Sequence, residues 1–180
     1  LLVRAKEVPR LVQWPGDQAF YNFIAGREVL FVTPLASDVE AHHRTGLAFE
    51  LFRDLRIQPY GLRCIEAPLS IYPNRPDRGF EVSLERTLEQ VDRAYRQKPF
   101  EVFTAASGAY GLPLCEAVKQ RYGVSCVYVG NLMHAYFGLL QKTTADWRAS
   151  SRIPDHWISS RSLDGVPGLD RLEGGRYTSA

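Results

Sequence analysis

The stretch FEVFTAASGAYGLPL, residues 100–114, decides the fold of this chain. It predicts a buried strand over 101–105, a turn of small residues over 106–111, and a helix that begins at Leu112. The small turn residues let the backbone approach a ligand, and the first N–H groups of the helix remain free for an anion. Pro113 fits the first helical turn, where its missing N–H costs nothing. Both an anion or nucleotide site and a simple tight turn are open readings of this stretch.

Three more strands and four more helices flank this stretch. The other strands are predicted over 28–33, 61–66 and 124–129, which are short runs rich in apolar residues. The other helices are predicted over 18–24, from a cap at Ser37 or Asp38 to about Arg53, over 81–96, and over 132–140. Alternating strands and helices indicate an α/β fold, with a Rossmann-like parallel sheet of about four strands in the order 2-1-3-4 and helices on both faces.

The chain divides into three parts by composition. Residues 1–25 are predicted to form an N-terminal arm, residues 26–141 the Rossmann-like domain, and residues 142–180 an irregular tail that lies on its surface. Residues 67–79 contain three prolines and must form an irregular loop, and a loop of this length in a compact domain is usually functional. We expect this loop to close over the ligand.

The composition excludes several classes of partner. The 180 residues are 45% apolar and 23% charged, with a net charge of +2, and no run of five Lys or Arg residues predicts nucleic-acid binding. No apolar run approaches the ~20 residues that cross a bilayer, and no signal peptide is visible, so we predict a cytoplasmic protein without a membrane span. The chain begins without Met and fits part of a longer chain; a homo-oligomer is a further expectation.

Cysteine usage agrees with a reducing compartment. The three cysteines, Cys64, Cys115 and Cys126, are odd in number and widely spaced. They fall on predicted strands or on an apolar helix face, so we expect buried thiols rather than a disulfide or a metal cage.

The predicted strand order places a ligand site where the chain reverses direction, between the first and third strands. Ligands bind in such a crevice, outside the carboxyl ends of the strands. The loops 33–38 and 106–111 meet there, and Tyr110 at the tip either stacks on a base or sugar or covers the core. The residues expected to bind are Thr33 and Ser37 of the first loop and Ser107, Gly108, Ala109, Tyr110 and Gly111 of the second.

Two polar residues follow the fourth strand at the same edge. Asn131 is expected to contact the ligand, and His134 is the candidate general base or phosphate contact, with an ordinary structural histidine as the alternative. His42 and His43 are adjacent on a predicted helix, where neighbours diverge by about 100°, so they cannot hold one metal together. We expect ordinary surface histidines at these two positions, with one of them facing the crevice as the alternative.

The string Gly108-Ala-Tyr-Gly-Leu-Pro-Leu114, followed by a short helix, a strand ending at Gly130 and then Phe137-Gly138, resembles a bacterial family with a GT-D-like fold. The similarity extends through 26–34 and to 172–177. Members are regarded as glycosyltransferases of polysaccharide biosynthesis. The resemblance implies a nucleotide sugar as ligand, a UDP-sugar first of all, with its diphosphate held by the 106–111 turn.

The chain departs from that family at the metal site. Characterised enzymes of this type carry Asp-x-Glu just after the fourth strand, whereas this chain has Met133-His134-Ala135, and Gly130-Asn131 replaces a Gly-Gly pair. No metal is therefore predicted, and the sequence identifies no cofactor. The charge of the leaving group would have to be met by helix N-termini and by Arg44, His134 or Lys142.

Two other functions remain open at this point. The missing Asp-x-Glu favours a non-catalytic nucleotide- or sugar-binding or assembly module that keeps the GT-D-like fold. A methyltransferase-like Rossmann domain is a weaker alternative. The first strand is followed by Thr33-Pro34-Leu35-Ala36 rather than by a Gly-rich turn, which argues against that alternative.

Overall fold

A computed structural model describes residues 18–142, 144, 150–159 and 163–172. The strands of the main sheet are β1 (Glu28–Thr33), β2 (Gly61–Glu66), β3 (Val102–Ala105) and β4 (Ser125–Val127). The helices are α1 (Gln18–Ile24), α2 (Ala36–Arg44), α3 (Phe80–Gln97) and α4 (Gly111–Tyr122). The predicted bounds of α1, β1 and β2 are confirmed residue for residue.

The four strands form one parallel sheet in the order β2-β1-β3-β4. Val29 of β1 lies opposite Leu62 of β2 on one side and opposite Val102 of β3 on the other. The predicted α/β class and strand order are confirmed. The chain therefore reverses direction between β1 and β3, which creates the predicted switch point.

Helices cover both faces of the sheet, and each face has its own apolar core. Side chains alternate along β1, so Val29 and Phe31 belong to one core and Leu30 and Val32 to the other. The first core also contains buried residues of α1 and α2, and the second contains those of α3 and α4. Two-sided burial explains why β1 is a nearly continuous apolar run.

The turn after β3 tightens before the helix begins. Gly108–Tyr110 forms one turn of 3₁₀-helix that continues directly into α4. The helix therefore begins at Gly111, one residue before the predicted start. It ends as predicted, before Gly123.

The predicted helix over 38–53 is wrong in its second half and at its cap. Helix α2 ends at Arg44, Gly46 adopts a left-handed backbone, and Leu47–Phe49 forms a separate 3₁₀ turn. The helix begins at Ala36 after Leu35, so Ser37 and Asp38 lie inside the first turn and do not precede it.

The prediction of a helix over 132–140 is also wrong. Gly130–Phe137 is a 3₁₀-helix, Gly138 ends it in a left-handed conformation, and Leu139–Leu140 forms strand β5. Strand β5 pairs in parallel with β6 (Ile158–Ser159) in a second, two-stranded sheet. Backbone pairing to a distant segment has replaced the local helical bonds, which apolar composition alone did not reveal.

The tail contributes to the core in the part that the structure describes. Its buried apolar side chains, which pack in the same core as α1 and α2, are Ile153, Trp157, Leu163 and Leu169. The Trp157 indole donates a hydrogen bond to the Leu51 carbonyl oxygen, at 2.7 Å. The sequence predicts a tail that packs on the domain, and these four side chains extend that packing into the core. Of the predicted arm, residues 18–24 form α1, and residues 1–17 lie outside the described residues.

Candidate functional site

A cavity of about 460 Å³ lies at the carboxyl edge of the sheet, in front of the turn that follows β3. We call it the switch-point cavity. Its lining comes from five parts of the chain. They are Pro34, the 67–71 loop with Phe80, the 106–110 turn, three polar residues from the segment 131–141, and three leucines of the tail. The polar residues are Asn131, His134 and Gln141, and the leucines are Leu163, Leu169 and Leu172. The volume lies within the range of ligand pockets in proteins.

Six of the nine predicted site residues line this cavity, and three do not. The six are Ser107, Gly108, Ala109, Tyr110, Asn131 and His134. Thr33 is fully buried beneath the cavity lining, where it forms a hydrogen bond with His134, which does line the cavity. Gly111 packs against the ring of Tyr128, and Ser37 is exposed on α2.

The hydroxyl group of Ser107 lines the cavity without a partner. Ser107 is 8% exposed, and its Oγ atom has no hydrogen-bond partner among the described residues. The backbone N–H groups of Ser107, Gly108 and Ala109 also find no acceptor in the part of the chain that the structure describes. Buried polar groups are nearly always paired, so an unpaired hydroxyl beside free N–H groups at a cavity leaves a position where a water molecule or a ligand would complete these bonds.

Ser107→Ala is expected to leave the free energy of unfolding unchanged or to raise it by up to about 1 kcal/mol, because it removes a buried hydroxyl that makes no bond. Ser83→Ala is the matched control. Ser83 is also a buried serine, but it donates to Asp77 Oδ2 at 2.6 Å, so its loss is expected to cost about 1 kcal/mol. Urea denaturation measures both. A Ser107→Ala loss as large as that of the control contradicts an unpartnered hydroxyl.

Tyr110 forms part of the cavity wall. Its ring stacks on Phe80 with centroids 4.5 Å apart and planes 10° apart, and its hydroxyl is 2.6 Å from Ser70 Oγ. It is 5% exposed. One face of the ring is therefore already covered, and Tyr110 joins the 67–79 loop and the start of α3 to the turn.

His134 lies in the floor of the cavity as part of a hydrogen-bonded chain. Its Nε2 atom is 2.7 Å from Thr33 Oγ1, and its Nδ1 atom is 3.2 Å from Gln141 Oε1. Thr33 Oγ1 also accepts from the Leu35 N–H at 3.1 Å. Complete burial lowers the pKa of His134 to about 4, so the ring is neutral at pH 7. A neutral ring with both nitrogens engaged positions Thr33 and Gln141 and offers a phosphate no positive charge.

No lining side chain of the switch-point cavity carries a full charge at neutral pH. Lys, Arg, Asp and Glu are all missing from its lining within the described residues. Arg44, one of the expected cations, is highly exposed and lies 3.9 Å from Glu40, and Lys142 is exposed; neither lines the cavity. The expected compensation of a leaving-group charge by Arg44, His134 or Lys142 is therefore absent from the cavity.

Helix α2 carries two further histidines, His42 and His43, and neither is a surface group. His42 is 3% exposed with both ring nitrogens unpaired among the described residues, and His43 is half-buried with Nε2 3.2 Å from the Tyr60 carbonyl oxygen. The expectation of surface histidines is wrong, because His42 stacks with His156 of the tail, with ring centroids 6.1 Å apart, and His43 packs against Phe49 and Tyr60. Burial lowers the pKa of both rings.

The remaining candidate chemistry is sparse. All three cysteines are unpaired thiols; Cys115 is buried as predicted, whereas Cys64 and Cys126 are half-buried. Burial raises the pKa of Cys64. No group of three His, Cys, Asp or Glu side chains is arranged to hold a metal ion in the described ranges. Among those residues, no helix combines the length and the apolar character that crossing a membrane requires.

Comparison with known proteins adds no relative. No protein-family model, no curated protein and no solved structure matches the chain. The resemblance to GT-D-like glycosyltransferases therefore stays a prediction from the quoted residues.

Proposed function

We propose that this protein is a cytoplasmic glycosyltransferase-type domain that binds a nucleotide sugar in the switch-point cavity, in polysaccharide or glycoconjugate biosynthesis. The observation that carries the proposal is the unpaired Ser107 hydroxyl beside free backbone N–H groups, in a cavity at the carboxyl edge of a parallel sheet. Nucleotide ligands bind at this place in open α/β sheets. The resemblance of residues 108–114 to GT-D-like proteins supplies the sugar-nucleotide class.

A second candidate is a non-catalytic module that binds the same ligand class. Transfer of a glycosyl group needs a general base or nucleophile near the reacting carbon and a group that stabilises the leaving phosphate. Within the described residues the cavity presents no carboxylate and no cation, and His134 is neutral with both nitrogens engaged. These observations favour binding without catalysis.

Binding is tested by isothermal titration calorimetry with a panel of UDP-, GDP- and dTDP-sugars. We expect one of them to bind with 1:1 stoichiometry, and Ser107→Ala to weaken that binding about tenfold, since it removes a hydrogen bond in a desolvated pocket. Arg93→Gln, on the exposed face of α3 and away from the cavity, is expected to bind as the wild type does. If no sugar nucleotide in the panel binds, the proposal is wrong.

Turnover then separates the two candidates. The bound sugar nucleotide is incubated with the protein, and release of nucleoside diphosphate is followed by chromatography. A glycosyltransferase is expected to hydrolyse the donor slowly without an acceptor, and to lose this activity on substitution of His134 or Tyr110. Tight binding with no release above that of the buffer supports the non-catalytic module.

A further inference from the structure

Among the described residues, two side chains in the interior of the switch-point cavity are free to bind a polar group. Ser70 pairs with Tyr110, and His134 pairs with Gln141. The Ser107 hydroxyl and the Asn131 side-chain amide have no partner among the described residues. The rest of the lining is apolar or backbone.

A diphosphate fits this interior poorly. Burying an ionised group without a countercharge costs several kcal/mol, and free N–H groups at one turn offset only part of that cost. A sugar, with several hydroxyl groups, would also leave most of them unpaired. A flat base with one amide-like edge needs one donor and one acceptor, which Ser107 and Asn131 supply.

The cations that the interior lacks lie at its mouth. Two neighbouring, more open pockets share Ser70 with the switch-point cavity; one is also lined by Arg171, and the other by Arg75 and Arg78. No ion pair or hydrogen bond engages these three arginine side chains in the described part of the chain. We call Arg75, Arg78 and Arg171 the arginine rim.

Two carboxylates also lie at the mouth. Asp77 is already paired, with Arg86 Nη1 at 2.9 Å and with the Ser83 hydroxyl at 2.6 Å, and Asp170 lines the same pocket as Arg171. Three unpaired arginines therefore face one remaining carboxylate, that of Asp170, so the net charge at the mouth is positive. The guanidinium group forms paired hydrogen bonds to phosphate oxygens.

Resting on the proposed function, we propose that the switch-point cavity binds the nucleoside of the nucleotide sugar and that the arginine rim binds its diphosphate. This arrangement places the diphosphate away from the 106–111 turn, where the sequence alone suggested it. The base lies against the leucines and prolines of the lining, with its amide edge at Ser107 and Asn131. The sugar then extends outward from the rim, beside Tyr72, which is 79% exposed.

Calorimetry with parts of the ligand tests this division. The probes are uridine, UDP and UDP-glucose, with the matching guanosine and thymidine series in parallel, each titrated into the wild-type chain, Arg171→Gln, and the double variant Arg75→Gln/Arg78→Gln. Arg93→Gln is the control, because Arg93 lies on the exposed face of α3, away from the three pockets, 3.9 Å from Glu89.

Arg171→Gln is expected to weaken nucleotide-sugar binding about tenfold, the effect of one charge-assisted hydrogen bond, and the double variant, which removes two arginines, to weaken it by more. Nucleoside binding is expected to stay unchanged in the rim variants and to weaken about tenfold in Ser107→Ala. Raising salt from 50 to 300 mM should weaken the nucleotide sugar and spare the nucleoside.

The outcomes separate this inference from the proposed function. If a nucleotide sugar binds the wild-type chain but the rim variants bind it equally well, the inference is wrong and the proposed function stands. Nucleoside binding that weakens with loss of a rim arginine also overturns the inference. If no probe in any series binds, both fail together.

Discussion

Gly138→Ala is expected to lower the free energy of unfolding by about 3 kcal/mol, while Gly46→Ala lowers it by only about 1 kcal/mol. Both glycines have φ of +80°, where an L side chain is strained by a similar amount. A Cβ atom at Gly138 would lie 2.5 Å from Leu51 Cδ2 and 2.6 Å from His42 Cε1, whereas nothing lies within 4 Å of one at Gly46. The difference between the two variants is therefore the cost of the clash.

The clash cannot be relieved cheaply. Leu51 is fully buried and His42 is 3% exposed, so neither side chain has free space to rotate into. Interiors are close-packed, and forcing in a methyl group costs typically 1–3 kcal/mol. Urea denaturation followed by circular dichroism measures both variants. Equal losses at Gly138 and Gly46 would mean that the α2 side of the core gives way easily, contrary to this packing.

The strands could be predicted because buried strands have a local composition rich in apolar residues. Residues 29–32 are apolar at four successive positions, as expected for a strand that is covered on both faces. Helix α2 was harder, because Leu47, Leu51 and Phe52 continue an apolar stripe at helical spacing beyond Arg44. Leu51 and Phe52 reach the core from the loop that follows the 3₁₀ turn, after Gly46 has ended the helix, whereas Leu47 is only half-buried.

The turn of the site could be predicted and its surroundings could not. The small residues at 106–111 predict by themselves that the backbone comes close to a ligand. In the structure, Ser107 lines the cavity with its hydroxyl unpaired among the described residues. The arginine rim depends on residues about 100 positions apart meeting at one mouth. Their approach is fixed by tertiary contacts such as the bond from Asn74 Nδ2 to the Pro167 carbonyl oxygen, at 2.7 Å, which no local pattern predicts. The proline-rich composition of 67–79 was the one available signal.

The hydrogen-bond chain through His134 belongs to the same unpredictable class. Its partner Thr33 is 101 positions away in the chain, and Gln141 enters the site only because 130–140 is a 3₁₀-helix followed by a strand. The position of His134 after the end of a strand predicts a general base. Complete burial and two hydrogen bonds give it a positioning role instead.

His134 is expected to make the protein lose stability as the pH falls from about 6.5 to about 4. The pKa of an unfolded histidine is about 6.5, and burial lowers that of folded His134 to about 4. Between these values the unfolded chain binds a proton that the native state does not, so protons favour unfolding. The contribution is complete above pH 6.5 and falls by about 3 kcal/mol down to pH 4. His42 and His43, whose pKa values are also lowered by burial, act in the same direction.

His134→Gln isolates this contribution, because a glutamine amide can accept from Thr33 and donate to Gln141 without titrating. The variant is expected to be less stable than the wild type at pH 7, by about 1 kcal/mol for imperfect hydrogen bonds. Its free energy of unfolding should fall less steeply with acid, so that the two curves cross between pH 6.5 and pH 4. Denaturant titrations at half-unit pH steps measure the difference in the free energy of unfolding between the two proteins. The contributions of the carboxylates cancel in this difference, because both proteins contain them. Parallel curves, or a His134 ring resonance that titrates near pH 6.5 in NMR spectra, would show that the ring is solvated and free to act as a base in the open site.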